Sequence, residues 1–103
     1  MTITQEVILE WSQTVRDHTE DAISYLPSYI QEWTVPVQDA LLRVLHVVDT
    51  YSSNIAKIAA LVQYISVIGL FNNSGEGGLA ECPPEFACVQ NDCGAVAIAL
   101  ATV

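Results

Sequence analysis

Basic side chains are nearly missing from this 103-residue chain: Arg16, Arg43 and Lys57 stand against twelve acids, for a net charge of −9. So sparse a cationic inventory excludes binding through nucleic-acid phosphates, which Lys and Arg must neutralise. It also disfavours an anionic membrane surface as partner. Cysteine is absent before position 82, and no base follows Lys57. The N-terminus, MTITQEVILEWSQTVRDH, lacks the basic region followed by an apolar stretch that marks a secretory signal. Synthesis in a reducing cytoplasm is therefore expected, with thiols initially free and any export later. No Ser/His/Asp order, P-loop or dinucleotide fingerprint occurs, and GEGG lacks the strand, third glycine and helix of the last. The reading is a non-enzymatic chain without a cofactor.

What the chain has in excess is apolar surface. Hydrophobic residues make up 51% and charged residues 15%, and the mean hydropathy is +0.37. A domain of this length has little interior in which to hide that much, so association with copies of itself or with a partner is expected. Ile3, Val7, Trp11, Val15, Ala22 and Leu26 recur on one stripe of a first helix that ends or kinks at Pro27. Thr2 and Gln5 fit a capping box at its start.

A second helical stretch opens with Thr34 as N-cap and Pro36 in the first turn. Val37, Leu41, Val44, Val48, Tyr51, Ile55, Ile58, Val62 and Ile65 then alternate in steps of four and three, the a/d period of coiled coils and bundles. DTYSSN (49–54) has poor helix propensity, leaving either one helix or two, with Ser52 or Ser53 recapping the second. Val44, Val48, Ile55, Ile58, Val62 and Ile65 are the candidate interface. NIAKIAALVQYISVIGLF borders on a transmembrane length, but Asn54, Lys57 and Gln63 within it argue for a buried bundle helix. The expected fold is all-α: a small helical hairpin or bundle of two to four helices with a flexible, Gly-linked C-terminal tail. Its parts are a helical domain (1–71), a Gly-rich linker (72–78) and a cysteine-bearing tail (79–103) expected to have little regular structure.

The tail, LAECPPEFACVQNDCGAVAIALATV, holds Cys82, Cys88 and Cys93 in a C-x5-C-x4-C pattern. Structural zinc sites usually open with two thiolates two to four residues apart, so this spacing argues against a metal. A helix starting near Cys93, capped by Asn91 or Asp92, would lower its thiol pKa through the dipole. Asp92 and Glu85 act in the opposite direction. The uncharged end, AVAIALATV, is costly to leave in water, so it should dock, assemble or be chemically processed.

An acidic helical part, a Gly77-Gly78 junction and a short cysteine-bearing tail resemble the double-glycine leader and core of precursors to ribosomally synthesised, post-translationally modified peptides. The resemblance implies that a maturation enzyme binds the leader, that a protease cuts after Gly77-Gly78, and that Cys82, Cys88 and Cys93 are sites of modification. The run AVAIALATV is similar to the hydrophobic cores of backbone N-methylated peptides, whose precursors also carry a helical recognition domain. Thr102 is the only hydroxyl residue of the implied core, which leaves dehydration followed by thioether closure almost no substrate. The alternatives are a self-assembling helical subunit of a filament or capsid, joined through the seam and the 95–103 tail, and a membrane-active small helical protein.

Overall fold

The computed structural model describes residues 3–74 and 81–103. Their order is α1 (Gln5–Asp17), a 3₁₀ turn (Ala22–Tyr25), a single-turn α2 (Ser28–Gln31), α3 (Val35–Thr50), α4 (Ile55–Ser74), a 3₁₀ segment (Pro84–Val89) and α5 (Gln90–Ala101). The all-α bundle expected from the periodicities is present, with five α-helices among the described residues.

α1 starts at Thr4, whose Oγ1 accepts the Val7 N–H at 3.2 Å, so Thr4 supplies the cap. Thr2, expected in that role, lies outside the described residues. Glu6 in the first turn and Arg16 in the last suit the helix dipole. The buried positions Ile8, Trp11, Ser12 and Val15 fall at helical spacing. Val7, expected on this stripe, is only partly buried, and Ile8 faces the interior instead. The helix stops at Asp17, ten residues before Pro27. His18, Thr19, Glu20 and Asp21 follow, none of them apolar, so a further helical turn would have no hydrophobic face to bury. The chain reverses there, and Ala22 and Leu26 still reach the core. His18 lies flat on Tyr25, ring centroids 3.5 Å apart and 12° from parallel.

α2 is too short to satisfy its own carbonyls, and a side chain from the next helix does so. Gln38 Nε2 donates to Ile30 O at 3.1 Å and to Gln31 O at 3.2 Å. Thr34 stands at the start of α3 as expected, but through its backbone: its carbonyl accepts from Val37 and Gln38, and its side chain makes no capping bond. DTYSSN does divide the long heptad stretch. α3 ends at Thr50 and α4 begins at Ile55. The new cap is Asn54, whose Oδ1 accepts the Lys57 N–H at 3.2 Å; it replaces the expected Ser52 or Ser53. No helix among the described residues is long and apolar enough to cross a membrane.

The largest departure from expectation is at the C-terminus. The stretch expected to have little regular structure forms the 3₁₀ segment and α5, and α5 lies in the middle of the bundle. Cys93, Val96, Ala97 and Leu100 are buried, at spacings of three, four and seven residues that put them on one helical face. α5 packs against both α3 and α4, and α1 packs against α3, while direct contact between α3 and α4 is minor. The neighbour of α4 is therefore the tail helix, not its hairpin partner. Gly69 permits this approach: a Cβ there would stand 3.3 Å from Ala97 O and 3.7 Å from the Ala101 Cβ. Residues 72–74, expected in the linker, belong to the last turn of α4.

Candidate functional site

The Gly77-Gly78 junction lies outside the described residues. The three thiols that follow are free and occupy three different environments: Cys82 half-buried, Cys88 exposed and Cys93 buried. Cys82 precedes the 3₁₀ segment, and its Sγ donates to Pro83 O at 3.5 Å. The side chains of Tyr64 and Cys82 are hydrogen-bonded, and Gln90 bonds the same tyrosine hydroxyl. This network ties α4, the entrance to the tail and the first residue of α5 together. Burial pushes the Cys82 thiol up, an effect partly offset by the Tyr64 bond. It raises Tyr64 as well.

Cys93 sits in the first turn of α5, where a helix dipole favours a thiolate. Desolvation outweighs the dipole. With no exposed surface, Cys93 has its pKa pushed from the ordinary 9.0 up to about 12, first by burial and then by Cys82, Asp92 and Cys88. In the folded chain it is a core residue and a poor nucleophile. Among the described residues, no three His, Cys, Asp or Glu side chains are placed to hold a metal ion.

The seam positions are mostly taken up by the chain itself. Val44, Val48 and Ile58 have no exposed surface and Ile65 has 2%, Val62 is partly buried, and Ile55 alone is open, at 58%. Apart from Ile55, the residues read as an interface belong to the bundle's own core.

Ion pairs reinforce this arrangement. Arg43 of α3 grips Asp92 of α5 with two bonds, Nε to Oδ2 at 3.0 Å and Nη2 to Oδ1 at 2.9 Å. Lys57 of α4 pairs with Glu85 of the 3₁₀ segment at 3.2 Å, while its ammonium stands 5.0 Å from the Tyr51 ring centre. Glu85 is held below the usual carboxylate range, first by a backbone hydrogen bond and then by Lys57. The third pair, Arg16 with Asp49, joins α1 to α3. Two of the chain's three basic side chains thus reach across to the tail. Such solvent-screened pairs add little to stability, so they align the tail and apolar burial holds it.

One feature has no signal in the sequence. An open apolar groove of about 440 Å³ runs between α1, α3 and the end of the 3₁₀ segment, lined by Val15, Leu42, Val47 and Val89 with Arg43 and His46. It depends on how α1 and the 3₁₀ segment meet α3, which no local pattern encodes. Comparison with known proteins adds no relative to this picture: no family model, curated protein or solved structure matches the chain.

Proposed function

We propose that this chain is a non-enzymatic precursor, in which the helical part is recognised by a maturation enzyme and the C-terminal tail is the part modified or cleaved. The observation that carries the reading is the relation between the two parts. The compositionally distinct tail seats its own helix on α3 and α4, the helices that carry the a/d seam. Two of the three bases, Arg43 and Lys57, reach it. The helical part thus serves as a cradle for the tail. Cys82 and Cys88 lie at the near end of that tail, one half-buried and one exposed, within reach of a modifying enzyme.

Mass spectrometry of the protein isolated from its producing cell tests the reading. Cleavage after Gly78, or added mass confined to 79–103, is the expected result. A full-length chain carrying no modification would overturn it.

A second reading, self-assembly, draws on a different observation. The outward side of α4 carries no acid, and Ile55 and Leu70 are 58% and 68% exposed, with Ile98 and Val103 of the C-terminal region at 49% each. Light scattering at high concentration separates the two: a stable monomer excludes the assembly reading and leaves the precursor reading intact.

A further inference from the structure

We infer that α5 is a gate over its own chain: docked, it shields Cys93 and covers the faces of α3 and α4 against which it packs, and undocked it releases both together. The inference rests on the reading of the tail as the processed part, and adds how access to it is controlled. A maturation enzyme would then meet the recognition surface and the innermost thiol in the same open state. The docked state would offer it Cys88, with Cys82 partly covered.

Three features support a helix that can leave while part of the fold remains. First, α1 packs on α3 independently of α5, and Arg16–Asp49 joins that pair, so undocking leaves a packed unit behind. Second, the polar pins on the tail, Arg43–Asp92 and Lys57–Glu85, involve basic side chains that are 57% and 37% exposed. Solvent and salt screen pairs of this kind, so they weaken readily. Third, α5 contains Gly94, and a Cβ built there meets nothing within 4 Å. Packing gives no reason for the glycine. Its effect is to lower the stability of the helix that carries it. Chemistry on the backbone of 95–103 has the same requirement as access to Cys93, because the amides of α5 are engaged in the helix while it stays docked.

Thiol labelling of the intact chain with iodoacetamide, resolved by peptide mass spectrometry, reads the gate directly. In the reaction a sulfur–carbon bond forms, iodide leaves and the thiol proton passes to the buffer. In the native protein Cys88 should react fastest and Cys93 on the order of 100-fold more slowly, through a sub-global opening. Arg43→Gln with Lys57→Gln should speed Cys93 about 5-fold with Cys88 unchanged. Gly94→Ala should slow Cys93 about 3-fold. The urea dependence of Cys93 labelling should be shallower than that of global unfolding, since less surface is exposed. Equal rates at Cys88 and Cys93, a Cys93-to-Cys88 ratio indifferent to the substitutions, or the full unfolding slope would each overturn the gate. If the double variant unfolds outright, slowing in Gly94→Ala still decides. Because labelling is done on the unprocessed chain, its outcome is independent of the native mass that tests the precursor reading.

Discussion

A chain ending at Gly78 should retain only the α1–α3 unit and unfold at a far lower urea midpoint and with a shallower slope than the intact protein, whereas Phe86→Ala should keep the full transition with stability lower by about 3–5 kcal/mol. Both expectations follow from where the tail lies. Truncation removes the fully buried Phe86, Cys93 and Val96 together with Val89, Ala97 and Leu100. It also strips the main neighbour from α4 and a main neighbour from α3, the helices that carry Val44, Leu45, Val48, Ile58 and Leu61, none of which has exposed surface in the intact fold. Burial of one such side chain contributes roughly 1.5–3 kcal/mol, against a total stability of about 5–15 kcal/mol for a domain of this size. Losing six at once leaves little beyond α1 packed on α3.

Phe86 isolates one element of this. It packs against Tyr51 in the turn between α3 and α4, centroids 5.8 Å apart and planes tilted by 59°, so its removal leaves a cavity beside the α3–α4 turn. Urea denaturation followed by circular dichroism checks both variants. A truncated chain that unfolds as sharply as the whole one, or a Phe86→Ala chain of unchanged midpoint, would show the tail to be peripheral.

The second large effect is on alkaline stability. The folded state holds the Cys93 proton to about pH 12, whereas an ordinary thiol titrates near 9.0. A group whose pKa is raised by folding contributes stability that is fully present below its unfolded pKa and is lost as pH rises through its folded one. Folding stability should therefore hold to about pH 9 and then fall toward pH 12 by roughly 1 kcal/mol per pH unit. Asp92, Cys82 and Cys88 add repulsion to a Cys93 thiolate. Tyr64 and Tyr29, both raised by burial, contribute a slope of the same sign. Cys93→Ala removes the thiol, and with it one of the charges that raise Tyr64. It should start less stable near neutral pH because of the cavity, and show a shallower decline between pH 9 and 12. Urea midpoints across that window decide it; parallel curves for wild type and variant would contradict the burial of Cys93.

The fold was legible where the pattern was periodic and interrupted by strong signals. The heptad steps from Val37 to Ile65 identified the helical stretch that holds α3 and α4, because packing period is a local property, whereas the poor propensity of DTYSSN left one helix or two open until the packing decided it. The caps were harder. Thr4 and Asn54 took positions expected of Thr2 and the serines, since several neighbouring residues can cap and tertiary packing selects among them. The end of α1 was missed because Ala22 and Leu26 keep the apolar spacing of a helix while reaching the core through a reversed chain.

α5 was missed for a different reason. Cys93, Val96, Ala97 and Leu100 have helical spacing, but Ala95, Ile98, Ala99 and Ala101 surround them with other apolar residues. A helix apolar on nearly every side shows no stripe, and Gly94 adds a residue that disfavours helix. The candidate thiols were visible as residues, but their ranking from exposed Cys88 to buried Cys93 depends on packing against α3 and α4, which no local pattern encodes. The groove beside Val47 and Val89 was illegible for the same reason.

Native-state hydrogen exchange tests the central claim, that the C-terminal segment is a docked helix. The amides of Val96, Ala97 and Leu100 should be protected far beyond an unstructured peptide, yet exchange before those of Val44, Leu45 and Val48 in α3. Random-coil exchange at 96–100 in a protein whose α3 amides remain protected would contradict it.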